Sequence, residues 1–244
     1  EQAERNRFFL LFEESHLAIV EKMRSNSSKK IGDVIKFSSG LIAKYGQKNI
    51  QSNQEKAGYR PGIVSGSEFG RYWLKPAGVY ISALPSDIKS GLNSVDYNKE
   101  KIFLRQTGDA LYATLDKTGL LALNNVHIGS IVDDRFDIRY ILGLINSRLY
   151  SFLYQVLSLE KGRTMAQIDI DFLSLLPVRD DRRDIESKII ECVDEIIMMG
   201  EEKMDNGKKK SSKEETYIAR VDELVFSLFD IDEMEVAEIV GKHR

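Results

Sequence analysis

The sequence predicts an α+β protein: a mixed β-sheet body with one long packing helix, flanked by helices at both ends. Three observations predict it. Short apolar runs punctuated by Gly, Pro, Asn and Ser fill residues 31–129, the texture of strands and turns. Apolar residues then recur at helical period from Ile138 to Val156. Two further helical patterns, one at each end of the chain, complete the outline.

Glu1 to Arg24 reads as an amphipathic helix, with Phe8, Leu11, Phe12, Ile19 and Met23 at spacings of three, four and seven. Ser25-Asn26-Ser27-Ser28 ends it, since short polar side chains bond their own backbone. His16 has no second ligand near it in sequence and reads as a packing or surface histidine. Ile31 to Phe37 alternates loosely as a strand ending at Ser38-Ser39-Gly40. Lys44 to Asn49 and a polar loop lead to a strand at Ile63-Val64, then to the aromatic stretch Gly66 to Trp73. Pro76 to Glu100 reads as irregular.

The centre of the body is Lys101 to Gly129. Ile102-Phe103-Leu104 is a short buried strand, and Arg105-Gln106 follow it as a polar rim. Ala110–Leu115 and Leu120–Leu123 flank Asp116-Lys117-Thr118-Gly119. Asp first and Gly last suits a type I turn running into a positive φ, so the two runs are expected to pair as a hairpin. Ile102, Leu104 and Leu121 are the expected core. Asp133 to Asp137 offers N-caps for a single long helix carrying Ile138, Ile141, Leu142, Ile145, Leu149, Phe152, Leu153 and Val156 on one stripe. Ile168 to Phe172 alternates, which would put Asp169 and Asp171 on the wet face of a strand, and Leu176-Pro177-Val178 closes the unit.

Beyond Arg182, the residues Ile185, Ile189, Cys192, Ile196 and Met199 repeat at four and three, a seam too short for an independent coiled coil. It should dock on another helix, with the N-terminal one a candidate. Asp205–Glu215 is a charged connector, Tyr217–Phe229 a last long helix, and Ile231 opens a terminal turn or helix. The expected organisation is an N-terminal helix over 1–28, a body over 29–178 and a helical spacer over 179–244.

Composition narrows the function. The chain is 42% hydrophobic and 30% charged, as in a soluble globular protein, and no apolar run could span a membrane. It opens EQAERNRFF without Met or a signal-peptide pattern, which reads as a piece of a longer protein. A lone Cys192 excludes disulfide frameworks and Cys-based metal sites and suits the reducing cytoplasm. The net charge of −3 conceals an asymmetry. Lys29 to Val178 holds 19 basic and 14 acidic residues, and Lys29 to Lys75 holds 9 and 3, while the remainder carries 16 and 24. A basic body with acidic ends suits a phosphate-facing module with solvated helices. Basic residues interleave with Tyr45, Tyr59, Tyr72 and Trp73, which could stack on bases or simply pack. There is no Gly-rich phosphate loop, and three dispersed histidines make neither a triad nor a metal cluster. The chain reads as non-catalytic.

Three stretches carry a family resemblance. IGDVIKFSSGLIAKY (31–45) resembles the opening of a target-recognition domain, as in type I specificity subunits. KIFLRQTGD followed by LNNVH resembles a central strand and its exit, and ILGLINSRLYSFLYQ with a late LLPV resembles a long helix and closing strand. VDELVFSLFDIDEMEVAEIV resembles a common ending. Together they resemble the TaqI-like C-terminal specificity domain of adenine-specific DNA methyltransferases and combined restriction-modification enzymes.

The resemblance implies duplex DNA as partner, held while a methyltransferase part flips out an adenine. The Asn-Pro-Pro signature and the S-adenosylmethionine loop of that part are absent from this sequence, so S-adenosylmethionine would bind outside this chain and no cofactor is expected within it. Base readers must bond base edges, Arg to guanine and Gln or Asn to adenine, while Lys and Arg meet phosphates. By that chemistry the candidates are Lys44, Gln47, Lys48, Arg60, Arg71, Tyr72, Arg105, Gln106, Lys161, Arg163 and Thr164; Arg105 could instead pair with Asp109. The competing reading is a helical protein-interaction scaffold without DNA binding, supported by the seam and the acidic ends.

Overall fold

The computed structural model describes residues 14–108, 110–158, 167–206 and 212–241; Phe8, Leu11 and Phe12 lie outside them. The described chain begins α1 (Glu14–Ser25), β1 (Lys29–Lys30), α2 (Ile31–Val34), β2 (Ile35–Ser39) and β3 (Ile42–Ala43). A 3-10 turn at Gln47–Ile50 leads to β4 (Gln51–Ser52) and β5 (Tyr59–Ile63), and a second at Gly66–Glu68 precedes β6 (Val79–Ser82) and β7 (Ile88–Ser90). Then come β8 (Lys101–Arg105), β9 (Ala113–Asp116), β10 (Leu121–Ala122) and β11 (Val126–Ile131). The remainder is mostly helical: α3 (Ile138–Asn146), α4 (Arg148–Ser158), α5 (Ile170–Ser174), β12 (Pro177–Val178), α6 (Arg183–Asn206), α7 (Ser212–Leu228) and α8 (Glu233–Gly241). The α+β expectation holds.

An antiparallel sheet of order β2-β11-β8-β9 stands as a wall between two cores. On one face, Ile102 and Leu104 of β8 pack with the helices. On the other, Phe103 joins Leu41, Ile63, Ile81, Leu121 and Ile128 beneath a second sheet of order β10-β5-β6-β4. Both faces of β8 are covered, so its sequence is continuously apolar rather than alternating. Ile102, Leu104 and Leu121 are fully buried, as expected.

The central turn forms, but not the expected hairpin. Gly119 has φ +82°, and the Asp116 carboxylate accepts from Thr118 N, Thr118 Oγ1 and Leu120 N. The strands on either side then part. β9 pairs with β8, while β10 pairs in parallel with β5 in the other sheet. The turn therefore carries the chain from one sheet to the next.

The long helix is two helices. Ser147 is extended (φ −72°, ψ 156°), its hydroxyl donates to Leu144 O and accepts from Tyr150 N, and Asp222 of α7 accepts from Arg148 N. These local bonds compete with the helix ladder and break it, although the apolar stripe is continuous across the break. Asp169 is an N-cap that accepts from Asp171 N and starts α5, so the alternation at 168–172 marks a helix start, not a strand. Ile31–Val34 is likewise a helical turn before β2, and two strands, β6 and β7, cross the stretch read as irregular.

The α6 seam docks on α7 and α3. A Cβ on Gly143 of α3 would sit 2.6 Å from Ile189 Cγ2, so the missing side chain is what lets α6 come this close. The N-terminal helix instead meets α8, where Lys22 Nζ lies 2.7 Å from Glu235 Oε2 and Ser15 Oγ donates to Glu238 at 2.5 Å. Among the described residues no helix is long and apolar enough to cross a membrane.

Candidate nucleic-acid interface

Several loops meet where β8 ends and β11 begins. Arg105 is the register partner of Val126, and Val126 N donates to Leu123 O, closing a tight turn with Asn124 and Asn125 at its tip. Asn125 Nδ2 donates to Val64 O at 2.8 Å, bringing up the 64–68 loop. Gln47 Nε2 donates to Asn124 Oδ1 and to Leu41 O, bringing up the 47–50 turn. On the other side, Ile168 N donates to Gln106 O at 2.7 Å and Gln167 bridges Thr107.

The result is an end lined with short polar and amide side chains: Ser65, Ser67, Gln106, Thr107, Asn124, Asn125 and Gln167. Among the described residues, the Gln106, Thr107 and Gln167 side chains make no hydrogen bond, and Asn125 keeps its carbonyl oxygen free. Amide groups with open donors and acceptors are the chemistry that reads an adenine edge. Glu68 shapes the adjoining loop. Its buried carboxylate accepts from Val64 N and Ser65 N with one oxygen and from Ala77 N with the other. The spacing Ser65-x-x-Glu68 is a capping box legible in the sequence.

The eleven candidate residues separate under this geometry. Gln106 sits at the end with an open side chain, and Lys48 lies exposed and unpaired among the described residues on the neighbouring turn. Arg105 is there too, but it is anchored: Nε donates to Phe69 O at 3.0 Å, Nη2 donates to the same oxygen, and the guanidinium lies 5.0 Å from the Tyr112 ring centre. Asp109, weighed as its partner, lies outside the described residues. Gln47 uses its whole amide within the fold, since Oε1 accepts from Ala43 N while Nε2 holds Leu41 and Asn124.

The remaining candidates stand elsewhere. Arg60 holds the opposite end of β5, donating to Asn98 Oδ1 and Gly119 O. Lys44 donates to Pro85 O at 3.0 Å. Tyr72 is 3% exposed, at φ +66°, with burial pushing its hydroxyl far above the usual range, so its ring has no open face for a base. Arg71 donates to Asn146 O and lies 3.8 Å from Asp222, turned toward the helices. Lys161, Arg163 and Thr164 lie outside the described residues; Gln167 and Ile168, which follow that segment, are joined to Thr107 and Gln106.

Behind this end, His127 on β11 bonds Ile168 O through Nε2 at 3.0 Å, and its buried Nδ1 has no partner. Burial holds the imidazole below its ordinary pKa, against the weaker pull of the Ile168 carbonyl and Asp169.

Residues 62–178 match the family model of the TaqI-like C-terminal specificity domain. The chain carries a TaqI-like specificity domain. The matched segment runs from the end of β5 through β12 and includes three strands of the wall (β8, β9 and β11), the Asn124–Asn125 turn and Gln106; β2, Lys48 and the 47–50 turn precede it. The specificity domain's fold is also that of the type IIL restriction-modification enzyme MmeI, solved in complex with DNA. The TM-score is 0.59 at 11% identity over 88% of this chain and 36% of that one. HsdS from Thermoanaerobacter tengcongensis aligns over 93% of this chain and 54% of its own (TM-score 0.37, 10% identity). The type I S subunit from M. genitalium aligns over 88% and 52% (TM-score 0.40, 11% identity). The chain spans between 36% and 54% of the length of these three proteins. No curated protein matches it.

Asn124, Asn125, Thr107 and Gln167 of this end were not among the eleven candidates. Asn124-Asn125 was legible as a strand exit, and Thr107 follows Gln106 directly. Gln167 had no local signal, because only a bridge across the fold brings it to Thr107.

Proposed function

We propose that this chain is the sequence-specific duplex-DNA recognition module of a restriction-modification adenine methyltransferase, non-catalytic by itself. The observation that carries the reading is the specificity-domain match over residues 62–178, which contains an end built from open amide and hydroxyl groups. In this reading Gln106, Asn125 and Gln167 meet base edges in the major groove, while Lys48 meets phosphate. The methyl donor, S-adenosylmethionine, belongs to a methyltransferase part outside this chain, with which the helical ends would associate, and the whole would act in the cytoplasm, where the DNA is.

The test is equilibrium binding of the chain to a pool of randomised duplexes, read by fluorescence anisotropy and by sequencing of the bound fraction. The expected result is an affinity that falls steeply with salt and an enriched sequence motif. A folded chain that binds no duplex at low salt would refute the reading.

A further inference from the structure

A second feature, a largely apolar cleft with two arginines at it, lies on the helix side of the wall. The 110–112 segment, the α3–α4 break and the end of α8 enclose a cleft of about 430 Å³ lined by Arg71, Tyr112, Arg148, Ser151 and Val240. Two guanidinium groups stand at it against one carboxylate. Arg148 Nε is 3.3 Å from Asp222 Oδ2 and Arg71 Nη2 is 3.8 Å from Asp222 Oδ1, and neither arginine has another ion pair among the described residues. One positive charge is therefore left over. Arg71 Nε is enclosed and donates to no atom, and the Arg148 side chain is 52% exposed. Tyr112 links the cleft to the interface, since Arg105 stacks on its ring and Arg105 N donates to Tyr112 O at 3.0 Å.

We propose that this cleft is an anion site that takes a phosphate group, supplied by the backbone of the duplex whose bases meet the neighbouring loops. Arg148, whose side chain is half-exposed, swings its free amino groups onto the phosphate, the planar fork that suits that group, while the charge that Asp222 leaves unmatched on Arg71 and Arg148 attracts it. The site rests on the DNA-recognition reading. It would fix the register of the duplex without reading sequence.

The test compares the whole chain with Arg148→Gln, whose replaced side chain is half-exposed, and with Arg220→Gln as a control. Arg220 loses the same charge from an exposed pair with Glu223. Anisotropy titrations on one duplex across a salt series should show Arg148→Gln binding several-fold more weakly for all sequences alike. The slope of log affinity against log salt should be shallower by about one unit, and Arg220→Gln should match wild type. In a second arm, millimolar inorganic phosphate should raise the melting temperature of wild type but not of Arg148→Gln. Phosphate-dependent melting with an unchanged DNA slope would overturn the backbone assignment in favour of a free-phosphate site. An unchanged slope together with no phosphate response would overturn the site altogether while leaving the recognition reading intact. Failure of wild type to bind any duplex would instead remove the reading on which the site rests.

Discussion

Lys101 and Asp116 are both completely buried and meet at 2.5 Å, locking the start of β8 to the end of β9. Lys101 Nζ also donates to Tyr97 O, and burial pushes the ammonium below its ordinary pKa even against this carboxylate. The pair sits where the chain leaves the wall for the second sheet, with Asp116 holding the turn that makes the crossing.

Removing one member of a buried pair strands the other. Asp116→Ala is expected to cost about 3–5 kcal/mol, since it leaves a buried ammonium and frees the turn amides. Lys101→Met should cost less, because Asp116 keeps its bonds from Thr118 N, Thr118 Oγ1 and Leu120 N. Urea denaturation of both variants decides it: a Lys101→Met loss equal to or larger than that of Asp116→Ala would contradict this account.

Gly143 is the position that lets α6 lie against α3. Adding a methyl group there should destabilise by about 1–3 kcal/mol through overpacking. Ile189→Ala removes the Cγ2 atom that the new methyl would strike, so the two substitutions should be non-additive, with the double variant more stable than the sum of losses implies. Additive losses would show that the two helices do not meet at this pair.

Base reading and phosphate contact separate in their sequence dependence. Gln106→Ala should lower discrimination at one base pair of the selected motif by about 1–3 kcal/mol. Lys48→Ala should weaken binding to all duplexes alike and leave the motif unchanged. Repeating the selection on both variants tests this, and an unaltered motif for Gln106→Ala would remove it from the base readers.

His127 confers a pH dependence on stability. Its folded-state pKa lies below the ordinary value near 6.5, so as pH falls through that region the unfolded chain takes up a proton that the fold refuses. Stability contributed by neutral His127 is complete above the unfolded-state pKa and declines as pH falls toward the folded one. Urea midpoints of wild type and His127→Gln from pH 7.5 to 5.5 should converge as pH falls; a constant difference would mean that His127 titrates alike in both states.

Much of the outline was legible from pattern alone. Apolar stripes at helical period located α3, α4, α6 and α7, and the Asp116–Gly119 turn followed from Asp and Gly chemistry. Each depends on residues a few positions apart, whose periodicity and backbone preferences act locally. The polar end was half legible: Arg105 and Gln106 stood out as a strand rim, yet three of the six other basic candidates proved to be holding the fold together. Arg60 secures a turn, Lys44 caps a loop, and Arg71 reaches the helices. An arginine that grips a carbonyl is indistinguishable in sequence from one that grips a phosphate, since the same donors do both.

The sequence by itself determined the class, the longer helical stretches, the central turn and the kinship of the chain to specificity domains, because burial periodicity and turn chemistry are written locally. Only the tertiary structure decided that β9 and β10 belong to different sheets, that α6 rests on α3 and α7, and which amide groups stand open beside Gln106. Those outcomes depend on pairings between residues far apart in the chain, such as Leu121 with Gly62 and Thr107 with Gln167. Strand partners and open donors are set by which distant surfaces bury each other, and no local pattern encodes that choice.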